Sequence, residues 1–427
     1  MLDLEIVPER SLGCEAWEFV LGMHFSQAVA IIQSQVGTIR GVQVLYSDQN
    51  PLSVDIVINM PQDGIRLIFD PVAQRLKIIE IYNMKLIKLR YSGMCFNSPE
   101  ITPSIEQVEH CFGATHPGLY DSQRHLFALN FRGLTFYFPV DSKFEPGYAH
   151  GLGSLQFPNG GSPVVARTTI YYGSQHQASK PNSGGRWAAP LADLPPSCYR
   201  QQLHLRRCDV IRSASSTVAL RLHLLAEGGR GGAAISRRRV IRFGDSCQAV
   251  SRALAAPARL YYKADDKMRI HRPTARRRAP PHTDYFFNYF TLGLDVLFDA
   301  RTHSVKKFVL HTNYPGHYNF NMYHRCEFTL HVHPDKSESN ALVESRGGVC
   351  ITAYSKWESV SRALRVCERP VVLNRASSTN TTNPFGSTFC YGYQDIIFEV
   401  MSNNYIASIT LYQPEGATPQ YAVDSIA

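Results

Sequence analysis

Two seventeen-residue stretches of this chain follow one template, and this internal repeat restricts the fold more than any other feature of the sequence. The first is IRLIFDPVAQRLKIIEI, residues 65–81, and the second is LDVLFDARTHSVKKFVL, residues 294–310. Aligned without gaps, they place Phe69 over Phe298, with an Asp directly after each and a Lys eight residues later. Two apolar runs joined by a short polar turn are typical of a β-hairpin. The chain is therefore predicted to contain the same hairpin twice.

The residues before each hairpin also match, and they predict a helix. LGMHFSQAVAIIQ (residues 21–33) and FGDSCQAVSRAL (residues 243–254) each run from a glycine into Gln-Ala-Val. Apolar residues recur at helical spacing in both, with Ser26 as a suitable N-cap in the first and Asp245 or Ser246 in the second. Each helix is followed by a short β-branched or aromatic stretch, VQVLYS in the first copy and RLYYK in the second.

Two weaker copies show the same order of a helix and then strands. TPSIEQVEHCFG, with Thr102 as the N-cap, precedes FALNFRGLTFYF. YSKWESVSRAL, with Ser355 in a capping box, precedes DIIFEVM and IASITLY. Short hairpin connections predict antiparallel sheets, because parallel strands need long crossovers. The expected fold class is α+β, with two similar lobes, each built from repeats of a helix and an antiparallel β-meander.

Length and composition divide the chain into regions. A single hydrophobic core rarely serves 427 residues, so at least two folding units are expected. The repeats place an N-terminal α+β lobe at residues 1–172 and a C-terminal α+β lobe at residues 240–413. Residues 173–239 are rich in Gly, Pro and Ser, which predicts a divergent linker or loop region with one possible strand, TVALRLHLL. Residues 414–427 are expected to form a flexible tail.

Basic residues are concentrated in one part of the chain. From Arg200 to Arg278 there are 19 Lys and Arg against 5 Asp and Glu, a local excess of 14. Because the net charge of the whole chain is +9, the remainder is negative by 5. Such a block attracts phosphate groups on lipid headgroups or nucleic acid, although solvated arginine-rich loops are the simpler interpretation. The nearby YFFNYF, residues 285–290, could stack bases, but burial as a strand explains it better, so no nucleic acid is expected.

Enzyme motifs are not found in the sequence. It has no G-x-x-x-x-G-K-[ST] phosphate loop, no G-x-S-x-G elbow, no H-E-x-x-H zinc motif and no kinase signature. Its ten cysteines form no C-x-x-C pair, which argues against a zinc ribbon or a thioredoxin-like site. The chain is therefore predicted to be non-enzymatic, with no cofactor or metal. Neither a signal peptide, a membrane span nor a lipidation box is recognised, so a cytoplasmic location is expected.

The stretch HTNYPGHYNFNMYHRCEF, residues 311–328, is the strongest remaining candidate for chemistry. His311, His317 and His324 with Cys326 could supply zinc ligands or a nucleophile, but their spacings match no familiar pattern. The structural alternative is the end of a strand, a Tyr-Pro-Gly-His type II turn, an asparagine-rich loop and a second strand that buries Cys326. We favour the structural interpretation, because a motif without ligand geometry is weak support for a site.

Several long motifs carry a family resemblance. They are MLDLEIVPERSLG with WEFVLGM, FGATHPGLY, YFFNYFTLGLDVLFDA, KKFVLHTNYPGHYNFNMYHRCEF and NPFGSTFCYGYQDIIFEVM. Together they resemble the phagophore assembly factor 1 family, once classed as uncharacterised and historically linked to the Lin-10 name. The similarity covers about residues 1–172 and 240–413 and thins between them to fragments such as CDVIRS and ALRLHLLAE.

The resemblance implies regulation of autophagy rather than catalysis. Members of that family are cytosolic adaptors that pair with a β-propeller protein, breast carcinoma amplified sequence 3. The resemblance therefore implies the same partner here, recruitment to the preautophagosomal structure, and peripheral contact with the phagophore membrane, either direct or through the partner. It supplies no catalytic, cofactor-binding or metal-binding residues.

Two sets of residues are candidates for contacts. The alternative function is membrane trafficking through direct binding of anionic phosphoinositide lipid by a basic patch. The candidate lipid contacts are Arg237, Arg238, Arg239, Arg276, Arg277 and Arg278. The candidate partner-docking loop consists of Tyr314, Pro315, Gly316, His317, Tyr318 and Asn319.

Overall fold

The fold is that of a computed structural model of the 427-residue chain. The structure describes residues 1–113, 118–121, 125–140, 163–173, 186–187, 189–193, 195, 203–213, 215–226, 235–263, 283–333, 348–366, 368–374 and 385–413. The chain divides into two compact units, Met1–Cys198 and Tyr199–Ala427. Among its described residues, each unit has one five-stranded sheet and one eight-stranded sheet, here called the small and the large sheet.

The first unit contains thirteen described strands and two helices. The strands are β1 (Leu2–Val7), β2 (Ser11–Gly13), β3 (Glu18–Val20), β4 (Gln43–Leu45), β5 (Ile56–Met60), β6 (Ile65–Phe69), β7 (Leu76–Ile81), β8 (Ile87–Tyr91), β9 (Met94–Asn97), β10 (Leu119–Asp121), β11 (Leu126–Phe131), β12 (Leu134–Pro139) and β13 (Arg167–Tyr171). Helix α1 (Phe25–Ser34) follows β3, and helix α2 (Ile105–Phe112) follows β9. The small sheet has the order β3–β2–β1–β8–β9 and the large sheet the order β10–β11–β12–β13–β7–β6–β5–β4.

The second unit has the same number of described strands and helices. The strands are β14 (His204–Ser213), β15 (Ser216–Ala226), β16 (Ile235–Arg242), β17 (Arg259–Tyr262), β18 (Tyr285–Tyr289), β19 (Leu294–Phe298), β20 (Val305–His311), β21 (Phe328–Val332), β22 (Val349–Thr352), β23 (Val371–Leu373), β24 (Thr388–Tyr393), β25 (Ile396–Val400) and β26 (Ile406–Tyr412). Helix α3 (Cys247–Leu254) follows β16, and helix α4 (Trp357–Leu364) follows β22. The small sheet has the order β16–β15–β14–β21–β22 and the large sheet the order β17–β18–β19–β20–β26–β25–β24–β23.

The two units share one topology. Counting strands from the start of each unit, the orders of the small sheets agree, and so do those of the large sheets. Both large sheets are antiparallel throughout, whereas each small sheet has one parallel pair at its centre, β1 with β8 and β14 with β21. The prediction of two similar lobes is confirmed. The α+β class holds only in part, because the four described helices have 8 to 10 residues each and the sheets form most of each lobe.

The repeated hairpin predicted from the sequence is confirmed in detail. It forms β6–β7 in the first unit and β19–β20 in the second, with a register shift at the Phe that precedes each turn. Asp70 Oδ1 accepts the backbone N–H groups two and three residues later, both at 2.9 Å, and Asp299 Oδ1 does the same at 2.9 and 3.0 Å. The N–H groups of Thr302 and Arg301 lower the pKa of Asp299. The shared spacing of the template therefore encodes the turn as well as the strands.

Helix starts agree less well with the predicted caps. Ser246 caps α3 as predicted, since its Oγ accepts the backbone N–H of Ala249 at 3.2 Å. Ser355 does not cap α4, because its Oγ accepts the backbone N–H of Thr352 at 3.0 Å and the helix begins one residue later, after Lys356. The observed N-caps of α1 and α2 are His24 and Ser104 rather than Ser26 and Thr102.

The hydrophobic core of the second unit contains side chains from both of its sheets. The large sheet supplies Leu294, Val296, Phe298, Phe308, Leu310, Phe398 and Ile409, and the small sheet supplies Cys208, Leu220, Leu222, Phe328, Leu330 and Ile351. Helices α3 and α4 add Val250, Leu254, Trp357, Val360 and Leu364. We call the face of the large sheet that carries this core the inner face. The opposite face, which carries the alternate residues of the same strands, is the outer face.

The structure differs from the predicted division of the chain at residues 173–239. The second unit begins at Tyr199, and the range expected to hold a linker with one strand contains β14, β15 and most of β16. These strands belong to the small sheet, where Cys208 of β14 pairs with Phe328 of β21. A strand partner 120 residues away cannot be recognised from the local sequence, whereas the surrounding Gly and Ser residues are local and indicate a loop. The predicted tail, residues 414–427, lies outside the described residues.

Candidate functional site

Segment 312–327 joins β20 to β21 and lies over the outer face of the second unit's large sheet. The predicted type II turn is confirmed, because the backbone N–H of His317 donates to Tyr314 O at 3.3 Å and Gly316 has φ 85°. Cys326 is fully buried in the inner core, as the alternation predicted. The first unit joins the corresponding strands, β7 and β8, with only residues 82–86. The second unit therefore has an additional covering segment.

One end of this segment is held by the carboxylate of Asp295 on β19. His311 Nε2 lies 2.9 Å from Asp295 Oδ2, and Asn288 Nδ2 donates to Oδ1 at 2.8 Å. The Tyr323 hydroxyl lies 2.9 Å from both carboxylate oxygens, and its ring stacks on His311 with 3.9 Å between centroids. Burial, followed by the charge of Asp295, raises the pKa of Tyr323, so the hydroxyl keeps its proton and donates it.

A second buried carboxylate, Glu399 on β25, holds the turn of the same segment. His317 Nε2 lies 3.4 Å from Glu399 Oε1, which also accepts the Thr388 hydroxyl at 2.8 Å. Ser408 Oγ donates to the other oxygen at 2.7 Å. The carboxylate therefore has partners on both oxygens, as a buried charge requires.

Asn319 connects the two carboxylate clusters. Its Oδ1 makes a short contact with His317 Nδ1, and its Nδ2 lies 3.4 Å from His311 Nδ1. Carboxylate–imidazole pairs of this kind can act as general acids or bases in an enzyme. Here the two histidines, Asn319 and both carboxylates are buried and bonded to one another. The arrangement fastens segment 312–327 to three strands of the sheet.

The zinc or nucleophile alternative raised by the sequence needs His311, His317, His324 and Cys326 in one set. The structure places the rings of His311 and His317 on the outer face, beside carboxylates, and Cys326 in the inner core. Burial, followed by the neighbouring His204, lowers the pKa of His324 to about 3. Burial, followed by contact with Cys208, raises the pKa of the Cys326 thiol, which makes it a poor nucleophile.

Gly293 allows segment 312–327 to approach the sheet closely. Its φ is 63°, and a Cβ there would lie 2.4 Å from His324 O and 2.7 Å from Cys326 N. Gly64 occupies the equivalent position of the first unit, with φ 67° and a Cβ that would lie 2.7 Å from Asn83 O. Both positions require glycine, because a side chain would meet backbone atoms and the conformation is left-handed.

Half of the predicted lipid-contact residues can be placed. Arg237, Arg238 and Arg239 lie on β16, the edge strand of the second unit's small sheet, and all three are exposed. Arg238 pairs with His223 on β15, which lies 3.2 Å from Asp209. The other three predicted contacts, Arg276, Arg277 and Arg278, lie outside the described residues.

The predicted docking loop is mostly buried. Tyr314, Pro315, His317 and Asn319 are buried, and Tyr318 is 42% exposed. The Tyr314 hydroxyl donates to Ala353 O at 2.9 Å, which accounts for its burial. Tyr318 is therefore the one exposed side chain of the six predicted loop residues, and Met322, outside the predicted loop, is also exposed in segment 312–327.

Sequence reasoning did not identify which strands form the edges of the two large sheets, β4 and β10 in the first unit and β17 and β23 in the second. The edge strands β4 and β17 begin the meanders that follow α1 and α3, and each carries exposed apolar residues. These residues are Val44 and Leu45 of β4 with Tyr46 directly after it in the first unit, and Leu260, Tyr261 and Tyr262 of β17 in the second. VQVLYS and RLYYK read as strands, but a sequence does not show whether a short strand is central or at an edge. Their shortness was the only signal, since edge strands are often short.

The model of one protein family, described as phagosome assembly factor 1, matches residues 15–412. The chain belongs to this family. PHAF1 protein CG7083 of Drosophila melanogaster is 60% identical over 444 residues, which cover 100% of this chain and 99% of that protein. PHAF1 protein T01G9.2 of Caenorhabditis elegans is 36% identical over 96% of this chain and 93% of its own length. PHAF1 protein At3g51130 of Arabidopsis thaliana is 37% identical over 92% and 90%.

No solved structure matches this phagosome assembly factor 1 family member. The family match runs across the boundary between the two units, and its limits enclose residues 173–239. The family is named for assembly, and the name refers to no reaction. None of the described helices combines the length and apolar character needed to cross a bilayer.

Proposed function

We propose that this protein is a non-enzymatic adaptor in autophagy. With a β-propeller partner, breast carcinoma amplified sequence 3, it acts at the phagophore in the cytoplasm. One observation carries the proposal. The side chains best suited to catalysis or metal binding are buried and hydrogen-bonded to one another; they are His311, His317, Asn319 and two carboxylates. A network closed in this way stabilises the fold and leaves binding to the surface. The assembly role in the family name supports the same conclusion.

Affinity purification tests the adaptor role. The tagged full chain, purified from starved cells, is expected to bring down the β-propeller protein in a stable amount. Recovery of the folded chain without that protein, in starved and fed cells alike, would contradict the proposal. Folding is verified on the same sample by a cooperative thermal transition.

The docking loop can be tested in the same assay. Replacing Tyr318 and Met322 with Ser removes the exposed apolar groups of segment 312–327, together with the ring contact between Tyr318 and the buried His317, whose centroids lie 4.5 Å apart. If the loop binds the partner, recovery falls at least about tenfold, the effect of losing one central anchor. Met94→Ser, at an exposed position on β9 of the first unit, is the matched control. Equal recovery with both variants would exclude the loop.

A second candidate function is direct binding of anionic lipid. It is favoured by the exposed row of Arg237, Arg238 and Arg239 along the edge strand β16. Each basic residue near an anionic surface contributes about 1 kcal/mol, so replacing all three with Ser should weaken vesicle binding about 100-fold. Flotation with vesicles containing a phosphoinositide measures this effect. The triple Lys variant keeps the charge and is expected to bind, whereas unchanged flotation of the Ser variant would reject this function.

A further inference from the structure

The edge strands β4 and β17 present the same exposed positions in both units. Gln43 of β4 pairs with Asn59, and Arg259 of β17 pairs with Asn288, at the same place in the two sheets. The three residues after each are therefore equivalent, Val44 to Tyr46 in one unit and Leu260 to Tyr262 in the other. All six are apolar or aromatic and between 41% and 56% exposed.

An open sheet edge normally carries charge or proline, because its unpaired backbone attracts other strands. The β16 edge follows this rule with Arg237, Arg238 and Arg239. Val44 and Leu45 of β4 with Tyr46 directly after it, and Leu260, Tyr261 and Tyr262 of β17, depart from this rule, so both copies of the repeat depart from it in the same way. Exposed apolar groups at equivalent positions of both units indicate a binding surface rather than a chance exposure.

The backbone of β17 is available for another strand. Lys263 donates its N–H to the carbonyl oxygen of Asp284, the residue directly before β18, at 2.9 Å. Backbone groups of an antiparallel strand alternate in direction, so those of Tyr262 and Leu260 point away from β18, towards the open edge. In the described part of the chain, no strand pairs with that side of β17.

Charge distinguishes the β17 edge from the β4 edge. Arg259 and Lys263 are exposed at the two ends of β17 and lie on the same strand face as Tyr261. Among the described residues, neither has a carboxylate oxygen within 4.0 Å, and the Arg259 guanidinium lies 5.8 Å from the Tyr261 ring centroid. The corresponding residues of the first unit, Gln43 and Ser47, are uncharged. The charge of the β17 edge therefore favours binding of a negatively charged strand.

We propose that β17 binds an extended acidic segment of a partner protein by strand addition. In this segment two Asp or Glu residues, four positions apart, flank three apolar residues. The spacing follows from strand geometry, since residues i and i+4 lie on one face about 13 Å apart, as Arg259 and Lys263 do. The three apolar residues cover Leu260, Tyr261 and Tyr262. This inference rests on the adaptor role proposed above and names the chemistry of the segment that would dock.

Peptide binding to the purified full chain tests the proposal without the cellular partner. One fluorescent nonapeptide has the central sequence Glu-Val-Tyr-Val-Glu, and a second has Lys in place of both Glu. Fluorescence anisotropy is expected to show the acidic peptide binding at least about tenfold more tightly. Replacing Arg259 with Gln and Lys263 with Ser gives β17 the flanks of β4. This variant should lose about three- to tenfold in affinity, the effect of two exposed ion pairs.

Matched variants separate docking at β17 from general attraction between charges. Arg237→Gln with Arg238→Ser removes the same charge from β16 of the same unit and should leave peptide affinity unchanged. Leu260→Pro removes an outward-facing N–H without breaking a bond to β18, so it should abolish binding. Leu260→Ala keeps that N–H and should weaken binding only a few-fold.

Three results would overturn the inference. They are equal affinity for the acidic and lysine peptides, absence of binding by either peptide, and wild-type binding by Leu260→Pro. Sedimentation of the full chain tests whether a second copy of the chain binds this edge instead. A dimer that is lost in Leu260→Pro would show that it does. A chain that recovers the propeller partner but fails these tests would lose this inference and keep the adaptor role.

Discussion

Single residues show how the repeat was adapted differently in the two units. Lys77 and Lys306 occupy equivalent positions, and each contacts an equivalent aspartate, Asp55 at 2.6 Å and Asp284 at 3.2 Å. Lys77 is 2% exposed and also donates to Trp187 O at 3.0 Å, whereas Lys306 is 40% exposed. Burial raises the pKa of Asp55, so the first pair depends on its lysine in a way that the second does not.

Replacing each lysine with Met should therefore give unequal results. Lys77→Met leaves the buried Asp55 carboxylate without its cation and is expected to cost about 3–5 kcal/mol. Lys306→Met removes a half-exposed ammonium group from Asp284 and Asp299, at 3.2 and 3.1 Å, and is expected to cost about 1 kcal/mol because solvent screens both pairs. Denaturant unfolding of both variants measures the difference in the free energy of unfolding. Equal losses would show that burial of the first pair does not control its contribution.

His324 should make stability depend on pH. Its pKa is about 3 in the folded chain, below the usual value of about 6.5 in an unfolded chain. Below pH 6.5 the unfolded chain gains a proton that the folded chain does not, so stability falls as the pH falls towards 3. This group alone should cost about 2 kcal/mol between pH 7 and pH 5. His324→Gln should remove that component, and parallel stability curves for the two proteins would contradict the assignment.

At the scale of elements, the two units differ in the charge at one sheet edge and in the segment that covers one sheet face. Both large sheets are built alike, yet one outer face is covered by segment 312–327 and one edge, β17, carries basic flanks. The hydrogen bonds of this segment run to β19, β20 and β25, so it behaves as part of the sheet rather than as a surface loop.

Gly293 provides a test of how tightly that segment is fixed. Gly293→Ala combines left-handed strain with a clash against His324 O and Cys326 N, and should cost more than about 3 kcal/mol. Gly244 has φ 82°, and a Cβ there would meet no described atom within 4 Å beyond its chain neighbours, so Gly244→Ala should cost only the strain, about 1–2 kcal/mol. Thermal unfolding of the two variants separates the cost of the steric clash from the cost of the left-handed backbone conformation. Equal costs would mean that the segment can move away from the sheet.

At the scale of the whole molecule, each unit completes both of its sheets with its own strands. Fragments 1–195 and 203–413 are therefore expected to unfold cooperatively when expressed alone. Fragment 240–413 follows the boundary predicted from the sequence, but it lacks β14 and β15 and should fail to fold, because β21 loses its parallel partner. Calorimetry of the three fragments tests this division, and a cooperative transition in fragment 240–413 would contradict it.

The sequence predicted local features of the fold and missed distant ones. The hairpins were found because Phe69-Asp70 and Phe298-Asp299 mark a turn that is encoded within a few residues. Strands β14 and β16 were missed because their sheet depends on pairing with a strand far along the chain. In the same way, the residue types of segment 312–327 suggested a metal or catalytic site. Only the three-dimensional contacts showed that its histidines bind Asp295 and Glu399 and so hold the segment in place.

The parallel pairing of β14 with β21 also determines how late in synthesis the small sheet of the second unit can be completed. Cys208 must wait for Phe328, 120 residues later, so at roughly 5–20 residues per second the ribosome needs about 6–24 s to deliver the partner. Because β15 pairs with both β14 and β16, we expect these three strands to pair on the nascent chain during that interval, with one unpaired edge on each side. The arginines of β16 protect one of these edges from wrong pairing. We therefore expect this stage of biosynthesis to be the one at which the chain depends most on chaperones.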